Sequence, residues 1–246
     1  MEATVLGISG SPIKNSNTDR LIQEIMKATG NRSELIKLSD ICVAPCTHCR
    51  KCAYTNECII EDDFKWLSKK VLEADALVIG SPTIYQAASA YTKAFIERLY
   101  SLRHVKLLTK DKIAATVAIG WVGQDKVNEW LQTVLKMGGM DVVGGVTAHG
   151  TTGCFVCGPG ETCLYSIWNF FSKEVSGKDY GLEKIYEGYL EELPDNEPLT
   201  NPSYKVIKYI EIEDQPEVIA EAKRLGEEIK KKLEKRMSNK KEMVKI

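Results

Sequence analysis

Thr4-Val-Leu-Gly-Ile-Ser-Gly-Ser-Pro12 is the stretch that decides the fold. A short apolar run, bounded at once by Gly and Pro, reads as a buried strand emptying into a loop. The loop continues as Ile13-Lys-Asn-Ser-Asn-Thr18, and Leu21, Ile22, Ile25 and Met26 follow at helical spacing. Ser or Asn ahead of such a stripe signals a helix N-cap. Strand, loop, helix is therefore the opening unit, and it repeats. Residues 34–38, 76–80, 113–119 and 141–147 read as further strands; 62–73, 88–102 and 127–137 read as helices. The alternation predicts an α/β fold with a doubly wound, five-stranded parallel sheet covered on both faces.

In such a sheet, ligands bind beyond the carboxyl ends of the strands, at the switch point. The first loop offers hydroxyls at Ser9, Ser11, Ser16 and Thr18, an amide at Asn17 and a cation at Lys14. It feeds a helix N-terminus, where unpaired N–H groups and the dipole favour an anion. A terminal phosphate fits there; a solvated loop with an ordinary cap is the alternative. Neither a Gly-Lys-Ser/Thr ending nor Gly-x-Gly-x-x-Gly is present, which argues against an ATPase and a standard dinucleotide fold. Two more strand ends add flat surfaces. Ser81-Pro82-Thr83-Ile84-Tyr85 presents a phenol ring, and Gly120-Trp121-Val-Gly123 presents backbone and an indole. An isoalloxazine ring needs such a slot. Ordinary packing of Tyr85 and Trp121 competes with that reading.

Eight cysteines fall into two groups, five within 42–58 and three within 154–163. In a reducing cytosol, clustering points to metal or redox chemistry rather than disulfides. Cys46, Cys49 and Cys52 form C-x2-C-x2-C, and Cys58 follows after five residues. Three evenly spaced thiolates on a tight loop can take three corners of a cubane, with a fourth closing it. Zinc is the main rival, although its sites usually separate two cysteine knuckles by a longer spacer. Cys42 lies outside the spacing and reads as a small buried residue, with a substitute ligand as the alternative, while His48 reads as solvent-facing rather than as a ligand. Cys154, Cys157 and Cys163 form C-x2-C-x5-C. That group fits a second metal (zinc or iron–sulfur), with His149, Cys42, water or a partner chain as fourth ligand. Redox-active thiols and plain buried cysteines fit it equally.

Net charge is −1, without the basic excess of a nucleic-acid binder. No apolar run reaches membrane length, and the N-terminus lacks a secretory pattern. A soluble, cytoplasmic protein is expected. After residue 164 the alternation stops. A helix over 164–176, an irregular stretch over 177–203, a strand over 204–212 and a charged helix over 217–236 are expected there.

Gly7-Ile-Ser-Gly-Ser-Pro12, Ser16-Asn-Thr18, Gly80-Ser-Pro-Thr-Ile-Tyr85 and Ala90-Tyr-Thr-Lys-Ala-Phe-Ile-Glu-Arg98 resemble the NADPH-dependent FMN reductase group of flavodoxin-like proteins. With the cysteine segment, the chain is most similar to the iron–sulfur flavoproteins. The resemblance implies FMN and one [4Fe–4S] cluster per subunit, and assembly as a homodimer or homotetramer. It implies that Ser9, Ser11, Ser16, Asn17 and Thr18 hold the phosphate and that Pro82, Thr83, Ile84 and Tyr85 line the ring. The expected organisation is a flavodoxin-like domain over 1–163 with an iron–sulfur insertion at 42–60, then a C-terminal extension over 164–246.

Such a protein couples one-electron carriers to two-electron chemistry. Electrons would come from ferredoxin and leave to a small acceptor such as a quinone, peroxide or oxygen. An NAD(P)H-dependent FMN or quinone reductase is the second hypothesis, and a zinc-stabilised binding module without turnover the third. No catalytic acid or base is required.

Overall fold

A computed structural model describes residues 3–151 and 210–243. Its parallel strands are β1 (Thr4–Ser9), β2 (Arg32–Lys37), β3 (Ala76–Ile84), β5 (Ile113–Gly120) and β6 (Asp141–His149). A two-residue β4 (Ala87–Ala88) pairs antiparallel with the end of β3. The sheet runs β2-β1-β3-β5-β6. With β4 set aside this is the flavodoxin order, whose switch point lies between β1 and β3. The register puts Ser9 beside Gly80 and Ser81 beside Ala118, so the loops after β1, β3 and β5 leave from one edge.

Side chains alternate across the sheet with the strand period of two. Val5, Ala76, Val78, Ile113, Ala115 and Val117 face one core, with helices α1 (Asn17–Thr29) and α5 (Pro216–Met243). Leu6, Ile8, Leu77, Ile79, Ala114 and Ala118 face the other. That second layer is built by α2 (Phe64–Glu73), α3 (Ala90–Leu99) and α4 (Gln124–Met137).

The long C-terminal helix belongs to the same compact unit as residues up to 150. Residues 151–210 form a second unit, of which only Thr151 and Ile210 are described. An ideal Cβ on Gly226 of α5 would sit 2.3 Å from the Ile25 carbonyl oxygen and 2.6 Å from Ala28 Cβ on α1. Glycine is what lets these helices cross so closely. Gly226→Ala would gain about 1 kcal/mol of helix propensity in an exposed helix. Here the overpacking, roughly 3 kcal/mol, wins. A thermal melt should show Gly226→Ala less stable than wild type; a raised midpoint would refute the close crossing.

Three expectations need correction. Residues 81–84 are not loop but the end of β3, paired with β5 and then β4. Tyr85 and Gln86 turn the hairpin with φ of 49° and 58°, the left-handed pair a two-residue hairpin turn demands. The helix expected from 88 begins at Ala90, because Ser89 caps it by accepting the Thr92 N–H, and it passes after Leu99 into a tighter turn, Tyr100–Arg103. Ile212 is not the end of a strand. It opens a single 3-10 turn, Ile212–Asp214, with its side chain buried in the α1–α5 core and its N–H donated to Asn17. The expected helix over 164–176, the stretch over 177–203, residues 204–209 and the cysteines at 154, 157 and 163 lie outside the described residues.

Candidate functional site

The loop after β1 is held from three sides. Gly10 N–H donates to the Gly80 carbonyl, and Ser89 Oγ donates to the Gly10 carbonyl at 2.7 Å. Ser16 and Asp19 form a reciprocal capping box at the start of α1. Lys37, the last residue of β2, reaches over to Asp19 Oδ2 at 2.7 Å and to the Ser11 and Ile13 carbonyls. Ser9 is fully buried, and its hydroxyl donates to Asp19 Oδ1. Ser9 therefore shapes the loop from below; Ser16 caps α1 and Asn17 opens it, while Ser11, whose hydroxyl accepts the Ile13 N–H, and Thr18 are buried as Ser9 is. Asp19 and Lys37 went unread in the sequence. Ser16-x-x-Asp19 is a capping signal that could have found Asp19; nothing local marks Lys37.

Beside this loop stand the hairpin and the β5 end. Tyr85 is fully exposed at the hairpin tip and Ile84 is half-exposed, so ordinary core packing is not their role. Thr83 lies against Gly120. Its Oγ1 is buried without a hydrogen-bond partner among the described residues, as is Gln124 Oε1 at the start of α4. Exposed apolar surface bordered by such groups suits a flat heteroaromatic ring with polar edges.

The cysteine segment is a closed excursion between β2 and α2. Its neck is clasped by Cys42 N–H to Asp63 Oδ2, at 2.7 Å, and by Asp63 N–H to the Cys42 carbonyl. Its far side is pinned by Asn56, whose amide bonds the Ser101 and Lys106 carbonyls and the Lys106 N–H. Cys46, Cys49, Cys52 and Cys58 line one cleft, with Arg98 and Tyr100 also in its wall. His48 and Arg50 adopt left-handed backbone, with φ of 55° and 62°. Backbone of this kind turns successive N–H groups toward one side. Accordingly the His48 N–H points at Cys46 Sγ, 3.3 Å away, and the Lys51 N–H bonds the Cys49 sulfur. That backbone bond is the main reason the Cys49 thiol lies below its usual pKa. Cys52 is pushed the other way, by burial first and then by the neighbouring Cys58 sulfur. Four sulfurs with peptide donors are the donor set an anionic cluster requires. Among the described residues, no three His, Cys, Asp or Glu side chains are placed to grip a single metal ion.

Cys42 is exposed and is not among the residues lining the cleft, so it is not the small buried residue expected; Ile41 and Val43, not Cys42, turn toward the core. His48 is solvent-facing. Arg98, in the wall, and Asp62, its ion-pair partner, were not assigned a role from sequence. Arg98 binds both Asp62 oxygens, at 2.6 and 2.9 Å. Burial pushes the Asp62 carboxyl up, but Arg98 and the Ala44 and Phe64 N–H groups outweigh it and hold it below the usual carboxylate range.

Residues 3–152 match the family described as NADPH-dependent FMN reductase. The chain belongs to that family. Within it, an iron–sulfur flavoprotein of Methanocaldococcus jannaschii is 35% identical over 158 residues, 61% of this chain and 81% of the relative. Another, from Methanosarcina thermophila, is 31% identical over 146 residues, 57% and 76% of the two chains. Among solved structures, RosB with bound 8-demethyl-8-formylriboflavin-5'-phosphate superposes with a TM-score of 0.51 at 18% identity, covering 85% of this chain and 95% of that one. That likeness concerns the fold alone. The protein is thus an FMN flavoprotein oxidoreductase of the iron–sulfur flavoprotein group. No helix among the described residues is long and apolar enough to cross a membrane.

Proposed function

We propose that the protein is an electron-transfer oxidoreductase in which Cys46, Cys49, Cys52 and Cys58 bind one [4Fe–4S] cluster and the loop after β1 binds the phosphate of FMN. The observation that carries this is the cysteine cleft, with its four thiols, two N–H···S contacts and buried guanidinium. A single zinc ion would draw its ligands in to about 2.3 Å. A cluster takes one thiolate per iron and so accepts ligands spread over a larger group. The similarity to iron–sulfur flavoproteins supports the same assignment.

Together the two cofactors let single-electron donors drive two-electron chemistry. The chain's own part is position and access. Ser11, Ser16, Asn17 and Thr18 hold the phosphate at the α1 N-terminus, over a floor of Ser9, Asp19 and Lys37. Pro82, Thr83, Ile84, Tyr85, Gly120 and Trp121 line the ring. The donor is a one-electron carrier such as ferredoxin, and the acceptor is a small molecule. A second reading, with NAD(P)H as donor, is favoured by the family's description. Copies associate as a dimer or tetramer; exposed Tyr54, Ile59 and Tyr100 around the cysteine loop suit such a contact.

Protein isolated without oxygen should carry FMN, iron and acid-labile sulfide, and should be brown-yellow. In stopped flow, reduced ferredoxin should bleach the flavin absorbance faster than NADPH does; the reverse order selects the second reading. A colourless protein with stoichiometric zinc and no FMN would overturn both.

A further inference from the structure

Arg98, on α3, is the largest fully buried side chain among the described residues. Its guanidinium grips Asp62, donates to the Ala44 carbonyl at 2.9 Å and lies 4.6 Å from the centre of the Phe64 ring. Its Nε–H is buried without a hydrogen-bond partner among the described residues. The group also lines the cleft of the four cysteines. Burial works against its charge, but Asp62 first and then the Cys58 sulfur more than offset that.

Packing alone does not account for this arrangement. A buried ion pair is often no more stabilising than apolar side chains of the same volume, and an unpartnered buried N–H adds a cost. What an apolar residue could not supply is a fixed positive charge and a spare donor beside thiolates. We infer that Arg98 is a positioning residue that sets the reduction potential of the cluster, and that Asp62 sets how much of its charge the cluster feels. An electron added to an anionic cluster is stabilised by a nearby cation and by N–H donors to its sulfurs. Arg98 therefore raises the potential, and Asp62 moderates that effect.

This inference rests on the cluster assignment above, and the experiment separates the two. Iron and sulfide are measured first, then the cluster potential by redox titration followed by electron paramagnetic resonance. Arg98→Gln removes the cation and should shift the one-electron reduction equilibrium about tenfold toward the oxidised form, ~59 mV downward. Asp62→Asn leaves Arg98 charged and uncompensated and should shift it about as far upward. A merely structural pair would move both variants the same way, toward cluster loss. If Arg98→Gln fails to fold, Asp62→Asn decides: a folded variant with an unmoved or lowered potential, or with no cluster, overturns the inference. Wild-type protein without iron would overturn the assignment beneath it as well.

Discussion

Cys49→Ala should strip the protein of one cluster's worth of iron and sulfide while leaving FMN bound. Cys49 is the right probe because it is exposed, so the change removes a sulfur and almost no packing. The loop that carries it is clasped at its neck by Cys42 and Asp63, and its far side is held by Asn56, so the surrounding backbone survives loss of one ligand. Neither core contains Cys46, Cys49 or Cys52. The loop after β1, which we propose holds the FMN phosphate, is fixed by Asp19, Lys37 and Ser89, none of them in the cysteine segment. Cys42→Ala is the matched control, since Cys42 is also exposed but is not among the residues lining the cleft. Iron analysis should separate the two variants completely, while the flavin spectrum should not. Equal iron in Cys49→Ala and wild type would remove the cluster from residues 46–58.

The cysteine site was legible because its information is local. Four sulfurs within thirteen residues must share a neighbourhood whatever the fold does with them. The sheet was legible for a similar reason: β1, β3 and β5 begin as short apolar runs that meet Gly, and each helix carries its own stripe. What stayed hidden is what tertiary contact decides. Ser81 to Ile84 carry the polar and Pro-containing look of a loop, yet β5 and β4 supply backbone partners and make them strand. Arg98 sits in a motif quoted for its resemblance, but only the fold brings Asp62 to it across 36 positions. Lys37 meets Asp19 in the same way, across 18. The burial of α5 against α1 could not be read from the sequence of so charged a helix.

Gly10→Ala should cost the protein both stability and flavin. Gly10 follows β1 directly and presses on the capped end of α3. An ideal Cβ there would lie 1.8 Å from Thr92 Oγ1, 2.9 Å from Ser89 Oγ and 3.1 Å from Thr92 Cβ. Neither partner can yield cheaply. Thr92 and Ser89 are buried, and their hydroxyls bond each other at 2.9 Å while Ser89 Oγ also donates to the Gly10 carbonyl. The loop after β1 must therefore lift away from α3. Overpacking of this kind costs roughly 3 kcal/mol. For a chain of this length that lowers the thermal midpoint by roughly 6–12 °C. The lifted loop also misplaces its N–H groups, so FMN should bind about tenfold or more weakly, equivalent to ~1.4 kcal/mol. Thr92→Ala removes the hydroxyl that the new methyl strikes. In the double variant the two losses should fail to add, and the midpoint and FMN affinity should recover part of the way; residues in contact couple, and independent sites do not. Strictly additive losses, or a Gly10→Ala protein indistinguishable from wild type, would show that contact with α3 does not shape the loop.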